Sequence, residues 1–325
     1  MRRRHCLTGL AGLAAAAASM PTWAQAAYPA KPIRLIVGFP PGGGIDFTAR
    51  AIQAGLEAAL GQPLVIDYKP GAGGVLAATE LARAAPDGYT LLVATAASFA
   101  AAPALGAKLP YDVARDFTAV AMLGLFPLVI YAAPNVPAKT LAEFVAHAKA
   151  NPGKLNYASA GVGSTNHLVF EMLAEKTGIK LNHVPYKGAA QAATDVMSGQ
   201  VQVMVDSLAA GLGNIKAGKV TPLAVTTGVR QPQAPDIPTL KESGVDLAYP
   251  GWASIVAPAG TPDAVVKQLA AAINEILGSA ETADRYRQLI IQPATFSPQE
   301  TASFMAADRA ALTEIVKKAG IKLEE

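Results

Sequence analysis

The sequence predicts an α/β protein of two domains. Three observations carry that prediction. Short β-rich runs alternate with stretches of helical period. Of the 325 residues, 51% are hydrophobic and only 16% charged. The length also exceeds what one compact core ordinarily holds. The same composition excludes disorder, which needs low hydrophobicity, and a single cysteine excludes a disulfide scaffold.

The first 26 residues read as a leader. Arg2, Arg3 and Arg4 form a basic start, Leu7 to Met20 an apolar run, and Ala24-Gln25-Ala26 a small-residue cleavage site. The run is shorter than the ~20 residues a membrane span needs. The paired arginines leave the general and twin-arginine export routes both open. The leader holds three of the 27 basic residues and none of the 24 acidic ones, so the mature chain from Ala27 has 24 of each. Its net charge is zero, which removes the electrostatic basis for nucleic-acid binding. Cys6 leaves with the leader, and a thiol-free chain suits an oxidising periplasm.

The mature elements follow in order. Ile33 to Phe39 is a buried parallel strand, followed by Pro40-Pro41-Gly42-Gly43-Gly44. A helix then runs from about Asp46 to Leu60, with Ile52, Gly55, Leu56, Ala59 and Leu60 on one face. Leu64 to Tyr68 is a strand, Gly71-Ala72-Gly73-Gly74 opens a helix to about Ala84, and Thr90 to Thr95 is a third strand. Phe117 to Ala138 carries no charge, but Pro127, Pro134, Asn135 and Pro137 interrupt it, predicting a buried strand with its flanks and not a span.

Leu128 to Ala132 is that strand, and Thr140-x-x-Glu143 is a capping box for a helix to about Ala150. Leu155 to Ser159 is a strand ending in Gly161-Val-Gly163-Ser164-Thr165, where Ser164 is the expected N-cap of a helix that stops near Gly178. His183 to Tyr186 is a strand, a helix runs on to about Ser198, and Val201 to Asp206 and Pro222 to Thr227 are further strands. Gly251 to Pro258 returns to the first sheet. Thr261-Pro262 starts a long helix through Val265, Leu269, Ile273, Ile276 and Leu277, and Ser297-Pro298-Gln299-Glu300 caps the last one. Crossings near 125–130 and 248–252 make the first lobe discontinuous. The expected division is 27–126 with 250–302, and 127–249 with 303–325.

Two glycine-led helix starts carry the chemical signal. In the first, Gly42, Gly43 and Gly44 precede a first turn with Asp46 and Arg50. A helix N-terminus offers unpaired N–H groups and about half a positive charge, and glycine lets a ligand approach the backbone. The loop lacks the GK[ST] ending of a phosphate loop, and neither glycine run has GxGxxG spacing. Glycines that merely turn the chain are the competing reading. Gly161, Gly163, Ser164, Thr165 and His167 supply the second start, and the two could share one anion across a cleft.

Other chemistries find little support. Ser164-x-x-His167 reads as cap plus first-turn residue, with no G-x-S-x-G elbow. His147, His167 and His183 are widely spaced and have no HExxH or cysteine partner, so neither metal nor cofactor is expected. His147 lies on a helix and is expected solvated; His183 is expected at the core or its rim. Asp206 ends a hydrophobic strand, where it either caps the next loop or faces a ligand cleft. Trp252 is expected in the core.

The runs KPIRLIVGFPPGGGIDFTAR (31–50), PGAGGVLAATELARAAPDGYTLLVAT (70–95), YASAGVGSTNHL (157–168), HVPYKG (183–188), PLAVTT (222–227), PDIPTLKESG (235–244) and GWASIVAPAGTP (251–262) resemble the Bug family. These are extracytoplasmic receptors of tripartite tricarboxylate transporters. Gly38 departs from the proline often found before the phenylalanine. The resemblance implies a type II periplasmic binding-protein fold, two α/β lobes closing on a small organic carboxylate, with membrane permease subunits as partner. It implies a monomer that binds and does not catalyse. A sensor with a signalling partner is the alternative, and an enzyme comes third. Carried onto this chain, the ligand loops are Phe39 to Asp46, including Pro41, and Gly161 to His167. Ser98 and Asp206 join them by position.

Overall fold

Residues 28–319 are described in the computed structural model. The leader and Cys6 lie outside the described residues. The alternation of apolar runs resolves into two mixed sheets. The first comprises β1 (Ile33–Val37), β2 (Leu64–Tyr68), β3 (Thr90–Thr95), β4 (Phe117–Phe126), β10 (Gly251–Pro258) and β11 (Gln292–Pro293), in the order β11-β4-β10-β3-β1-β2. The second comprises β5 (Leu128–Ala132), β6 (Asn156–Ser159), β7 (Asn182–Pro185), β8 (Val203–Ser207) and β9 (Thr221–Val225), in the order β7-β6-β8-β5-β9. β1 runs parallel to both neighbours, whereas β10 is antiparallel to β3 and β4. The expected return of residues 251–258 to the first sheet is thus observed, in its centre.

The charge-free stretch 117–138 holds two strands where one was expected. Pro127 divides β4 from β5 and carries the chain from one sheet to the other. The second crossing lies beside it. Thr226 N–H donates to Leu128 O, Tyr249 N–H donates to Thr226 O, and Gly251 pairs with Phe126. A Cβ at Gly251 would lie 2.0 Å from the Phe126 ring, so only glycine fits there.

α1 (Gly44–Leu60) packs on one face of the first sheet with α7 (Asp263–Gly278) and α8 (Ala280–Gln288). Ile52 and Leu56 are fully buried, each contributing roughly 1.5–3 kcal/mol. Ala59, expected on that face, is exposed. Gly61 ends the helix in the left-handed conformation. α2 (Val75–Ala82) covers the other face, where the core continues into that of the second sheet.

Capping follows the sequence closely. Thr140 Oγ1 accepts from Glu143 N–H at the start of α3 (Leu141–Ala150), although the Glu143 carboxylate reaches Lys139 N–H, one residue earlier than a standard box. Ser164 caps α4 (Thr165–Thr177), which stops at Gly178. α5 (Ala189–Met197) follows β7. Ser297 and Glu300 exchange both capping bonds at α9 (Pro298–Ala319). Thr261 is the exception, because its hydroxyl donates backward to Pro258 O and the helix begins at Asp263. α6 (Leu208–Lys216) and α8 were not expected; α6 is rich in small residues and α8 has few apolar ones to mark a helix. α9 runs unbroken through the expected division at 302/303 and packs on β4 while also touching α4. Its Asp308 accepts from Tyr249 Oη and Trp252 Nε1, tying it to the second crossing.

Candidate functional site

β1 lies between β2 and β3, and β6 between β7 and β8, so each sheet has a point where neighbouring connections diverge. Open sheets bind ligands at the C-terminal ends of such strands. A cavity of about 650 Å³ lies there between the two sheets. Phe39, Pro41, Gly42, Gly43 and Gly44 line it from the first lobe, Thr165 and Asp206 from the second, all of them expected. Its walls are largely apolar, with Ile45, Phe47, Phe126, Leu128 and Met197. Lys187 is the one basic side chain among the described lining residues, and Asp206 the one acidic.

The first loop is held from behind. Asp46 is buried and accepts from Gly42 N–H at 2.8 Å, Arg50 Nε at 2.8 Å and Tyr68 Oη at 2.5 Å. The β1–β2 register, ending in Val37 opposite Tyr68, places that hydroxyl beside the loop. Burial alone raises the Asp46 pKa, but these three donors outweigh it and hold the carboxylate below its ordinary range. Asp46 therefore shapes the loop and does not line the cavity. The amides of Gly43, Gly44 and Ile45 find no acceptor among the described residues. They form an uncapped helix start facing the cleft.

The second expected start is different. Gly161 N–H donates to Ser159 Oγ, Ser164 N–H to Gly161 O, Gly163 N–H to His167 Nδ1 at 3.1 Å, and His167 N–H to Ser164 Oγ at 3.3 Å. The amides of Thr165 and Asn166, which both line the cavity, nonetheless find no acceptor among the described residues. Gly161, Gly163, Ser164 and His167 sit behind the cavity wall, and a Cβ on Gly73 would meet the Val162–Gly163 backbone at 3.5 Å. His167 stacks on His183 with centroids 4.2 Å apart, and His183 stacks on Tyr157 and bonds Ser159 Oγ. Burial lowers both imidazoles to about 4, with the His183 neighbour adding to the effect on His167. Sequence spacing had kept these histidines apart. Ser98 is also outside the cavity: it is buried, and its carbonyl accepts from Tyr111 Oη. His147 is half-buried on α3, away from the cleft.

A third start was missed. Gly188 begins α5 without a side-chain cap, and Lys187, Gly188, Ala189 and Ala190 all line the cavity. The amides of Gly188, Ala189 and Ala190 find no acceptor among the described residues. The signal was present, since Pro185-Tyr186-Lys187-Gly188 ends a strand and precedes a helix as Gly42–Gly44 does. A Cβ on Gly188 would lie 3.4 Å from Pro40, and one on Gly44 would lie 3.5 Å from Ser207. The lobes therefore approach each other closely at Gly44 and Gly188 as well as at Gly73. Thr95 completes the lining with a buried hydroxyl that finds no partner among the described residues.

Known proteins resemble this chain over most of its length. The family model for the tripartite tricarboxylate transporter family receptor matches residues 48–321. Protein BugT of Bordetella pertussis is 34% identical over 299 residues, covering 91% of this chain and 92% of its own. Among solved structures, R. palustris Rpa4515 with adipate is 33% identical with a TM-score of 0.87, over 91% and 99% of the two chains. The periplasmic binding protein BugD is 33% identical with a TM-score of 0.85, over 91% and 99%. MatC from Rhodopseudomonas palustris with bound malate is 33% identical with a TM-score of 0.84, over 89% and 100%.

Proposed function

This chain belongs to the receptors of the tripartite tricarboxylate transporter family, and from that premise we propose that it captures one small organic carboxylate in the cleft between its lobes. It then delivers the acid to the permease subunits of a membrane transporter. The observation that supports this is the pair of uncapped helix starts, α1 and α5, facing one cavity from opposite lobes. Each N–H bond to a carboxylate contributes roughly 1.5–3 kcal/mol, and each helix end about 0.3–1 more. Three or four such bonds, less the cost of association, reach micromolar affinity near −8 kcal/mol. Adipate and malate in the neighbours are ligands of this class.

Binding and lobe closure make the whole cycle, with no covalent step. The mature protein begins at Ala27, acts in the periplasm and works as a monomer; no helix among the described residues is long and apolar enough to cross a membrane. A thermal-shift screen of mono-, di- and tricarboxylic acids tests the reading, because a ligand of the folded state alone raises the melting temperature. We expect at least one acid to raise it and to bind at one per chain in calorimetry. Turnover of a bound acid, or no response to any, would overturn it.

A further inference from the structure

Asp206 sits at the end of β8, lines the cavity and is only 3% exposed. Its Oδ1 accepts from Ser207 N–H at 2.7 Å and its Oδ2 from Tyr131 Oη at 3.0 Å. The Tyr131 hydroxyl also lies 2.9 Å from Met204 Sδ, so it keeps a partner when Oδ2 is protonated. No cation pairs with Asp206 among the described residues. β5 presents only Tyr131 to it. On α4, His167 is occupied by Gly163 N–H; on α5, Asp195 accepts from Tyr186 Oη. On α1, Asp46 is closed by its three donors. Lys216 lies at the far end of α6, and Lys187 lines the same cavity with no ion pair among the described residues.

The neighbouring Ser207 faces Gly44 across the cleft, and Asp206 lines the same cavity as the free amides of α1, so an anion bound there shares that cavity with Asp206. Two carboxylates sharing one poorly solvated site do not both stay ionised. We propose that Asp206 is a protonated acid in the ligand complex, so that capture of a carboxylate above neutral pH takes up one proton. This rests on the carboxylate reading given above. Burial already pushes the Asp206 carboxyl up to about 7 against the lowering by Tyr131 and Ser207, and a bound anion pushes it further. Proton balance is simple: solvent supplies the proton on binding and receives it on release.

Calorimetry with adipate and malate at pH 8, in phosphate and in Tris, measures the proton count from the difference in heats. We expect uptake of between about half and one proton per ligand, and an affinity that falls about tenfold per pH unit above the free acid's titration. Asp206→Asn should abolish both the uptake and the slope. In the ligand-free protein, infrared spectroscopy should show a protonated-carboxyl band at pH 6 that is lost by pH 8.5 and absent from D206N. Proton release on binding would instead mean that the complex holds Asp206 ionised, and overturns the proposal. So does binding with no uptake at any pH from 7 to 9. If D206N does not fold, the wild-type band and proton count decide. If no carboxylic acid binds, the carboxylate reading falls and the coupling with it.

Discussion

The helix starts after β1 and β6 look alike in sequence and differ in the structure. Both follow a strand, both are glycine-rich, and both carry a polar residue in the first turn. At α1 the polar residue, Asp46, turns away to grip Gly42, Arg50 and Tyr68, leaving the amides of Gly43 and Gly44 open. At α4, Ser164 and His167 turn back and accept from His167 N–H and Gly163 N–H, leaving only the amides of Thr165 and Asn166 open toward the cavity. Glycine is therefore insufficient for an anion site. What differs is which amide the neighbouring side chain takes: Asp46 takes Gly42 ahead of the helix, whereas Ser164 takes His167 inside the first turn. At α5 no residue near Gly188 supplies an acceptor among the described residues.

The contrast can be broken most directly at the cleft itself. Gly44→Val should lower affinity at least about a hundredfold, near 2.7 kcal/mol, because its methyl groups extend past the 3.5 Å contact with Ser207 and prop the lobes apart. Calorimetry measures the loss, and solution scattering should show no compaction with ligand. Gly43→Val should follow at about tenfold. Its φ of −97° suits any residue and its nearest neighbour, Pro40 O, is 3.9 Å away, so circular dichroism should report an intact fold. Gly163→Val should do the reverse. At φ +75° a branched residue costs about 1–3 kcal/mol of stability, while the open space around it and its place behind the wall predict less than a tenfold loss of affinity.

A pH series sharpens the same comparison. His167 and His183 have folded pKa values lowered from 6.5 to about 4, so the unfolded chain takes up protons first as pH falls. The stability present above pH 6.5 should drain away down to about pH 4, by at most about 1.4 kcal/mol per unit for each group. Thermal melts across that window test the sign, and His167→Gln should flatten the slope. The smallest effect belongs to His147→Ala, which should change affinity by less than about twofold, because α3 does not line the cleft.

Much of this was legible in the sequence because it is local. Ser164, Thr140 and Ser297 cap helices where their spacing to a hydrogen-bonding residue says they should. Thr90–Thr95 and Leu128–Ala132 are strands to the residue, since their apolar runs end at turn signals. What stayed hidden depends on which loops meet in space. Lys187 and Gly188 face Pro40 only after β7 takes its place beside β6. His167 and His183 become ring neighbours only when that pairing sets Tyr157 opposite His183. Neither meeting leaves a trace in local period or composition.

The central position of β10 also sets an order of assembly. Strands β1 to β4 are synthesised first, but β3 and β4 pair with β10 and not with each other, so both wait with open edges until residue 258 has been made. The five strands of the second sheet fall between residues 128 and 225, an unbroken stretch of chain. That sheet needs no later strand and can close while the first is still missing its middle. A nascent chain consequently completes its inserted lobe before its N-terminal one, and the slow, long-range step of folding is the docking of β10.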